Sequence, residues 1–510
     1  MAEALWASYR LFPYERALAL REVEALTGHQ AAPTDSGITV PDEAGAVLVE
    51  RATYFGTIKV GSQEHPTLQS STEALHAAVR GVEQRRQATR FGLHGIHEYK
   101  GKFNPQLVRS LINVVDADAD LLIDPFCGSG TSLIEANRLG VDALGIDKSP
   151  IAAMLARSKC AAVVAPDTRS VRERFSALFR EVADAMKEAQ QSGAVVNLAD
   201  LFSPETAAYL HDWFPQESLA AVAVGLRHTS AEITDPAVAL TRVALSAILR
   251  AVSFQLPEDL RVRRRPEPFD PPQVWELFIE TCERVELGLE EVESWPRSDA
   301  SIEVRQGSSS DPAVLTGVEM HRRRLVVTSP PYATALPYID TDRLSIVALG
   351  LAPAAEIRVL ERELVGSREW RKPQEREWWS RLDTNADSLP PAVVDLTAEI
   401  HRANEAGGAG FRRAAVPALL YRYFASMAAC MDTWHKHLEP DERVVLIVGN
   451  NRTTANGEEV VIPTPHLLGG VAETRGYDVD EIIPLETWPR YGMHSRNGVS
   501  GEDAVVLRRR

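Results

Sequence analysis

Cysteine is scarce in this sequence, and the cysteines follow no metal-binding or disulfide pattern. Four occur among 510 residues, at Cys127, Cys160, Cys282 and Cys430, and no two of them form a CxxC pair. Small disulfide-stapled folds and CxxC zinc sites are excluded, because both need closely spaced cysteines. We expect no bound metal. The hydrophobic content of 45% predicts more than one domain, or one domain with large insertions.

Long apolar runs and a net positive charge are also missing. No run of 18 apolar residues occurs, and charges interrupt the apolar stretch at residues 1–20, so neither a membrane-spanning helix nor a signal peptide is predicted. The net charge of −16 excludes a protein that coats nucleic acid nonspecifically, because such binding depends on phosphate neutralisation. A local basic groove remains compatible with this charge. We expect a soluble, cytoplasmic protein without a membrane partner.

A strand, a glycine-rich loop and a helix at residues 121–147 predict a site for a ligand that contains a nucleoside. The apolar strand runs into Asp124, and the turn from Gly128 to Gly130 opens a helix at Thr131. Such a turn presents backbone N–H groups and a helix N-terminus to a ligand. The next strand ends at Asp147, where a carboxylate can accept both hydroxyls of a ribose. The loop fits neither the phosphate-loop pattern nor GxGxxG.

A second motif follows another apolar strand, at residues 324–328. Ser329 is followed by Pro330, Pro331 and Tyr332, at the strand end where open α/β sheets place ligands. The two prolines fix an extended backbone that cannot donate, so its carbonyls point outward as acceptors. The serine side chain and the first proline carbonyl can accept both N–H bonds of an exocyclic amine, while Tyr332 offers a ring for base stacking. The motif therefore predicts a clamp for a planar amine.

Together the two motifs resemble a known family. DPFCGSGT at residues 124–131 resembles the S-adenosylmethionine loop, and TSPPY at residues 328–332 the catalytic loop, of the DNA amino-methyltransferases, which methylate N4 of cytosine or N6 of adenine. Serine before Pro-Pro is more typical of the cytosine-N4 enzymes. The resemblance covers roughly residues 90–160 and 300–510. It implies an α/β fold with a Rossmann-like, mostly parallel sheet and a C-terminal antiparallel hairpin, S-adenosylmethionine as cofactor and DNA as substrate.

The resemblance also implies which residues form the site. HEYKGKFNPQ at residues 97–106 is similar to the family's extra cofactor motif, whose phenylalanine packs near the methionine end of the cofactor. The implied catalytic residues are Ser329, Pro330, Pro331 and Tyr332. The implied cofactor-binding residues are Lys102, Phe103, Asp124, Pro125, Phe126, Cys127, Gly128, Gly130, Thr131, Asp147, Lys148 and Ser308. The acidic residue that usually follows the third strand is not obvious, because Asp311 comes several residues late, so Ser308 or a backbone group is the candidate for the adenine contact.

A nucleophilic role for Cys127 is the chemical alternative within the same loop. Methylation of a ring carbon of cytosine needs attack by a thiolate, usually from a Pro-Cys pair, and the sequence contains no such pair. Cys127 is therefore predicted to be a small, buried packing residue.

The chain divides into a core interrupted by insertions. Residues 1–88 are predicted to form an N-terminal α/β module of unknown role, with residues 46–59 as strands around a turn. The predicted core comprises residues 89–165 for cofactor binding, 299–350 for the catalytic strand and SPPY loop, and 413–510 for the second half. Helical periodicity predicts a helical insertion at residues 166–298. Residues 351–412 are predicted to be an irregular substrate-recognition or lid region.

Candidate substrate contacts come from two arginine-rich stretches, at residues 261–265 and 362–376, which can form a basic groove. The predicted substrate-binding residues are Arg263, Arg264, Arg343, Arg368 and Arg371. YRLFPYE at residues 9–15 resembles N-terminal modules of tRNA guanine-N2 methyltransferases, so guanine-N2 methylation of RNA stays open beside adenine-N6 methylation of DNA and a non-catalytic nucleic-acid-sensing subunit. A restriction or defence-system partner is also compatible with the sequence.

Overall fold

A computed structural model describes residues 1–70, 72–74, 90–99, 101–193, 196–230, 234–256, 263–266, 269–333, 337–486 and 501–510. The strands of these residues form two large sheets and one hairpin. In chain order the strands are Ala2–Trp6 (β1), Ala32–Pro33 (β2), Gly37–Val40 (β3), Phe55–Val60 (β4), Gln63–Pro66 (β5), Leu121–Asp124 (β6), Asp142–Asp147 (β7), Ile302–Gln306 (β8), Arg324–Thr328 (β9), Arg443–Gly449 (β10), Asn451–Ala455 (β11), Glu458–Ile462 (β12), Tyr477–Glu486 (β13) and Gly501–Arg509 (β14).

The main sheet has seven strands in the order β13-β14-β10-β9-β6-β7-β8. The five strands from β10 to β8 are parallel, and β14 pairs antiparallel with both β10 and β13. The predicted mostly parallel α/β fold with antiparallel C-terminal strands is confirmed. The chain leaves β6 towards β7 and β8 on one side and later adds β9 and β10 on the other. The strand order therefore switches between β6 and β9, where open α/β sheets form their ligand crevice.

Helices cover both faces of this sheet. In chain order they are Pro13–Thr27 (α1), Gly45–Arg51 (α2), Pro105–Asp116 (α3), Thr131–Arg138 (α4), Pro150–Val163 (α5), Thr168–Ser192 (α6), Pro204–Trp213 (α7), Gln216–His228 (α8), Pro236–Ile248 (α9), Val274–Glu293 (α10), Tyr338–Thr341 (α11), Arg343–Ala348 (α12), Ile357–Arg362 (α13), Lys372–Thr384 (α14), Pro391–Ala406 (α15), Phe411–Ala414 (α16), Val416–His437 (α17) and Thr464–Thr474 (α18).

The centre of the sheet is buried on both faces. All five residues of β9 are buried, as are the four of β6, which explains their continuous apolar runs. Arg324 at the start of β9 is also buried, and its guanidinium donates to the carboxylate of Glu442 at 2.9 Å. This ion pair gives each of the two buried charges a partner. It lies at the edge of the sheet opposite the strand ends that carry the two motifs.

The insertion between β7 and β8 is helical. Helices α6 to α10 share one apolar core with residues of α5 and α12, in which Phe175, Phe278 and Leu245 are fully buried. The insertion therefore packs against α5 and α12. The segment Phe411–His437, which contains α17, is long and apolar enough to cross a bilayer by composition, but 72% of its most apolar window is buried within the protein. That burial identifies α17 as a core helix of the main sheet.

Two local predictions are wrong. Residues 46–59 were expected to be strands around a turn, but α2 occupies the first half, and only β4 is extended. The run Val47-Leu48-Val49 has the composition of a strand, yet burying Leu48 against the N-terminal sheet β2-β3-β1-β4-β5 favours a helix. Residues 351–412 are not irregular but contain α13 to α16. Their buried positions, such as Leu382, Val393 and Ile400, are widely spaced and leave most of each helix exposed.

Candidate active site

The carboxylate of Asp124 joins the glycine-rich loop to the catalytic loop. It accepts hydrogen bonds from the Phe126 N–H at 3.1 Å, from the Thr328 hydroxyl at 2.6 Å and from the Ser132 hydroxyl. Asp124 is buried, and burial raises the pKa of its carboxyl to about 6. The three donors lie just after β6, on α4 and at the end of β9, so Asp124 positions these three elements relative to one another. Because Thr328 directly precedes Ser329, this contact places the two sequence motifs side by side.

Asp147 is the last residue of β7, and its carboxylate accepts fewer hydrogen bonds than it could. One oxygen accepts from the Gly128 N–H at 2.9 Å and the other from the Ser149 N–H at 2.8 Å. A carboxylate has about four acceptor positions, so both oxygens can accept further donors. Burial raises the pKa of this carboxyl to about 6. The geometry suits the predicted contact with two ribose hydroxyls.

The glycine turn between these carboxylates is closely enclosed. Gly128 and Gly130 have φ values of +50° and +80°, in the left-handed region that favours glycine. A Cβ on Gly128 would lie 2.8 Å from the ring of Tyr99, and one on Gly130 would lie 3.1 Å from the Cβ of Ala156 on α5. Any larger residue would therefore push the turn out of place.

Two hydroxyl groups in the glycine turn lack the hydrogen-bond partners that a bound cofactor could supply. The hydroxyl oxygens of Ser129 and Thr131 are buried and have no hydrogen-bond partner in the described part of the chain. Buried hydroxyls are nearly always hydrogen-bonded, so a polar ligand held at the N-terminus of α4 would satisfy them. Thr131 was predicted to bind cofactor. Ser129 was missed, although its place between the two glycines was a signal for it.

The remaining predicted cofactor residues lie in different environments. The Lys148 ammonium pairs with the Glu363 carboxylate at 2.8 Å. The Phe126 ring meets Trp434 edge-on at 6.3 Å, and the Trp434 indole N–H donates to the Ser309 hydroxyl at 3.1 Å. Phe103 is partly buried against the core beside α3, and Lys102 and Pro125 lie on the loops that enter α3 and follow β6.

The candidates for the adenine contact lie after β8. This strand ends at Gln306, and the Ser308 hydroxyl lies 2.9 Å from that of Ser310. Asp311 is exposed, and its carboxylate accepts the Ala313 N–H at 3.0 Å as a helix cap. Asp311 therefore has a local structural partner, and Ser308 remains the predicted adenine contact.

Cys127 faces the protein core. A Cβ on Gly145 of β7 would lie 2.9 Å from the Cys127 sulfur. Burial raises the pKa of this thiol well above its usual range, so it stays protonated and cannot act as a thiolate nucleophile at neutral pH. Its backbone N–H donates to the Ile146 carbonyl at 2.9 Å and so ties the loop to the end of β7.

The SPPY loop is held from three sides. The Tyr332 hydroxyl donates to the Glu502 carboxylate of β14. The Asn451 side-chain amide, just after β10, donates to the Ala333 carbonyl at 2.7 Å. A Cβ on Gly366 would lie 2.6 Å from the Tyr332 carbonyl, so the chain after α13 passes directly against the loop. Ser329 itself is half-buried. Asn451 was not among the predicted site residues, although the polar end of its strand was a signal for it.

The predicted substrate arginines lie on three segments of the chain. Arg368 and Arg371 are exposed on the segment that follows Gly366, which Arg422 anchors through the Ser367 carbonyl at 2.8 Å. Arg343, at the start of α12, lies 3.4 Å from the Asp340 carboxylate. Arg263 and Arg264 lie on the helical insertion, where the Arg264 guanidinium covers the Phe254 ring at 4.2 Å. Arg261 of the same stretch lies outside the described residues.

Comparisons with known proteins agree with this site. The N6 and N4 DNA methylase family model matches residues 63–157. The type II methyltransferase M.MjaII of Methanocaldococcus jannaschii is 46% identical over 67 residues, 13% of each chain. M.MvaI of Kocuria varians, also a type II methyltransferase, is 27% identical over 282 residues, covering 52% of this chain and 59% of the relative. A tRNA (guanine(10)-N2)-dimethyltransferase of Methanothermobacter thermautotrophicus is 44% identical over 50 residues, 10% of this chain and 15% of the relative.

These matches are partial, and the family match lies in the cofactor half of the core. The chain spans 13% and 59% of the lengths of the two type II methyltransferases. The family match includes the extra motif, the glycine turn and Asp147, which are the parts whose geometry suits a nucleoside cofactor. Residues 63–157 of this chain are therefore similar to the N6 and N4 DNA methylase family, whose methyl donor is S-adenosylmethionine.

Proposed function

We propose that this protein transfers a methyl group from S-adenosylmethionine to the exocyclic amine of a base in DNA, with N4 of cytosine as the target. The observation that carries the proposal is the hydrogen bond between Thr328 and Asp124, at 2.6 Å. It fixes an amine-binding loop beside a nucleoside-binding loop, and a protein that only binds nucleic acid has no need of both. Similarity to type II DNA methyltransferases supports the same conclusion.

The cofactor would be held by the glycine turn and the ends of β6 and β7. Asp147 would accept the ribose hydroxyls, and the hydroxyls of Ser129 and Thr131 would meet polar groups of the ligand at the start of α4. When bound, the cofactor supplies an electrophilic methyl group on a positively charged sulfur. Phe126 and Ser308 are the proposed neighbours of the adenine.

The chain's own contribution to methyl transfer is positioning. The target base would leave the duplex and stack on Tyr332, whose ring is held by its hydroxyl bond to Glu502. The Ser329 side chain and the Pro330 carbonyl would accept the two N–H bonds of the amine, which makes the nitrogen pyramidal and moves its lone pair out of conjugation with the ring. In-line attack then needs no covalent enzyme intermediate, and the amine proton can leave after transfer. Serine at position 329 favours cytosine N4 over adenine N6.

The DNA contacts and cellular setting follow from the same proposal. Arg368 and Arg371 are the first candidates for phosphate contacts, because their segment lies against the SPPY loop. Arg343, Arg263 and Arg264 would extend such a surface along the helical insertion. We place the protein in the cytoplasm, where a restriction or other defence partner can accompany it.

The direct test is to incubate the purified protein with radiolabelled S-adenosylmethionine and either duplex DNA or total RNA, and to identify the labelled nucleoside after digestion. We expect label in N4-methylcytosine from DNA. Label in N6-methyladenine would keep the chemistry and change the base. The absence of label despite measurable cofactor binding would favour a sensing subunit or an enzyme that needs a partner.

A second candidate is guanine-N2 methylation of RNA. The 50-residue similarity to a tRNA (guanine(10)-N2)-dimethyltransferase favours it. The guanine amine is also exocyclic, so the same SPPY clamp would serve. Label confined to guanine in the RNA reaction would support this candidate and contradict the DNA assignment.

Cofactor affinity is expected to fall as the pH drops through about 6. The pKa of the Asp147 carboxyl is raised to about 6 in the free protein, and ribose hydroxyls bind its ionised form. Protonation below that pH removes acceptor positions, whereas affinity should level off above pH 7. Calorimetry with S-adenosylhomocysteine between pH 5 and 7.5 would measure the change. Asp147→Asn should bind weakly at every pH and lack the decrease. Constant wild-type affinity over this range would contradict the ribose contact.

A further inference from the structure

Helix α5 carries a lysine inside the protein. Lys159 is only 2% exposed, and no hydrogen bond or ion pair of its ammonium is found among the residues that the structure describes. Burial lowers the pKa of its ammonium to about 8, and the nearby groups that counteract this are the thiols of Cys160 and Cys127. Buried lysines are nearly always paired with an acid, so an unpaired one at this depth needs an explanation.

The position of Lys159 links it to the cofactor turn. A Cβ on Gly130 would lie 3.1 Å from the Cβ of Ala156 and 3.5 Å from the sulfur of Cys160, so the helical turn that carries Lys159 packs beneath the glycine turn. Its charge also reaches the extra motif, because it helps to lower the pKa values of His97 and Lys102.

Lys102, like Lys159, lacks an acidic partner. In the described part of the chain it has no ion pair, and burial lowers the pKa of its ammonium well below the usual range, with Lys159 as the next cause. The acids near the pair already have partners, because Glu135 pairs with Arg109 at 2.9 Å and Glu98 with Arg90 at 3.5 Å. The histidines and thiols around the pair supply no negative charge. Burial lowers the pKa of His97 to about 3 and that of His94 to about 4, so both rings are neutral at pH 7. The thiols of Cys127 and Cys160 stay protonated.

Lys159 and Lys102 therefore lie near the glycine turn and the extra motif, and neither has an acidic partner among the described residues. Asp147 and the glycine turn fix where the nucleoside would lie, and the extra motif meets the turn through the ring of Tyr99, 2.8 Å from a Cβ placed on Gly128. The methionine part of S-adenosylmethionine is the end that remains, and it carries an α-carboxylate. Charge-assisted bonds from lysine to a desolvated carboxylate are among the stronger interactions available.

We infer that Lys159, with Lys102, binds the α-carboxylate of the cofactor, so that a helix buried behind the glycine turn contributes a ligand to the methionine end. This inference rests on the proposed function, because it presumes S-adenosylmethionine in the site. Lys159 acts by binding the cofactor and takes no part in methyl transfer. The cofactor-free protein therefore keeps two lysines ready for an anion that only the ligand supplies.

Two ligands that differ in the carboxylate test the inference. S-adenosylhomocysteine has it, whereas 5′-methylthioadenosine keeps the nucleoside and the sulfur but lacks the amino-acid end. We expect Lys159→Met to weaken binding of S-adenosylhomocysteine by roughly 10- to 100-fold in calorimetry and to leave binding of methylthioadenosine unchanged. Lys159→Arg should retain most of the affinity. Lys187→Met, which removes a lysine stacked on Trp275 at 4.8 Å in the helical insertion, is the matched control.

Proton uptake gives a readout that does not depend on activity. A carboxylate beside Lys159 raises the pKa of its ammonium from about 8, so binding at pH 8 should take up protons. Calorimetry in buffers of different ionisation enthalpy measures this uptake with S-adenosylhomocysteine. We expect it to shrink in Lys159→Met, to persist in Lys187→Met, and to be absent with methylthioadenosine.

The possible negative results distinguish a failure of the proposed function from a failure of the role assigned to Lys159. Binding of neither ligand by the wild-type protein overturns the proposed function itself. Wild-type binding with unchanged affinity in Lys159→Met overturns only the role of Lys159. Equal weakening of both ligands in that variant also overturns it, because it indicates a distorted turn rather than a lost carboxylate contact.

Discussion

Replacing Ser329 with alanine is expected to lower turnover by one to several orders of magnitude while leaving cofactor affinity nearly unchanged. The serine side chain would accept one N–H of the amine, so its loss removes orientation that matters in the transition state and not in cofactor binding. Ser329 belongs to the SPPY loop, and among the described residues its side chain makes no hydrogen bond to the glycine turn. Single-turnover methyl transfer and calorimetry with S-adenosylhomocysteine would measure the two effects separately.

Three further variants test the same assignment. Ser170→Ala, on an exposed position of α6, should behave as the wild type in both measurements. Tyr332→Phe should retain much of the turnover because it keeps the stacking ring, whereas Tyr332→Ala should lose as much as Ser329→Ala. Full activity of Ser329→Ala would show that the amine clamp has been assigned to the wrong residue.

Much of the core was predictable because its signals are local. The runs at β6, β7 and β9 end in Asp124, Asp147 and Ser329, so strand, loop and ligand chemistry can all be read within a few residues. The parallel order also follows from alternating strands and helices. The strand ends that meet at the edge of such a sheet then predict which motifs share one site.

The parts that could not be predicted depend on partners distant in sequence. The bond from Thr328 to Asp124 crosses 204 positions, and no local pattern reveals it. Lys159 looks like an ordinary polar position of a helix until its burial is known. Leu48 lies in an apolar run that suits a strand by composition, and only its packing against the N-terminal sheet favours the helix.

Replacing Asp124 with alanine is expected to lower the free energy of unfolding by roughly 3–5 kcal/mol and to abolish turnover. The buried carboxylate accepts from Thr328, Ser132 and the Phe126 N–H, and its removal leaves all three donors unpaired in the interior. Denaturant unfolding would measure the loss. Asp118→Ala is the matched control, because its side chain is 84% exposed and its removal should change stability by less than about 0.5 kcal/mol. Equal stability of the two variants would contradict the structural role of Asp124.

Thr328→Val separates positioning from cofactor contact. The substitution keeps the shape of the side chain and removes only the hydroxyl bond to Asp124, which should cost about 1.5–3 kcal/mol of stability because the acceptor is charged and buried. If Asp124 aligns the two loops, this variant should also lose turnover while binding S-adenosylhomocysteine almost normally, because Thr328 lies on the catalytic strand. If Asp124 served only to hold the cofactor, turnover at saturating cofactor would stay at the wild-type level. Turnover and cofactor affinity, measured separately in Thr328→Val, therefore decide whether the Asp124 carboxylate aligns the loops that follow β6 and β9.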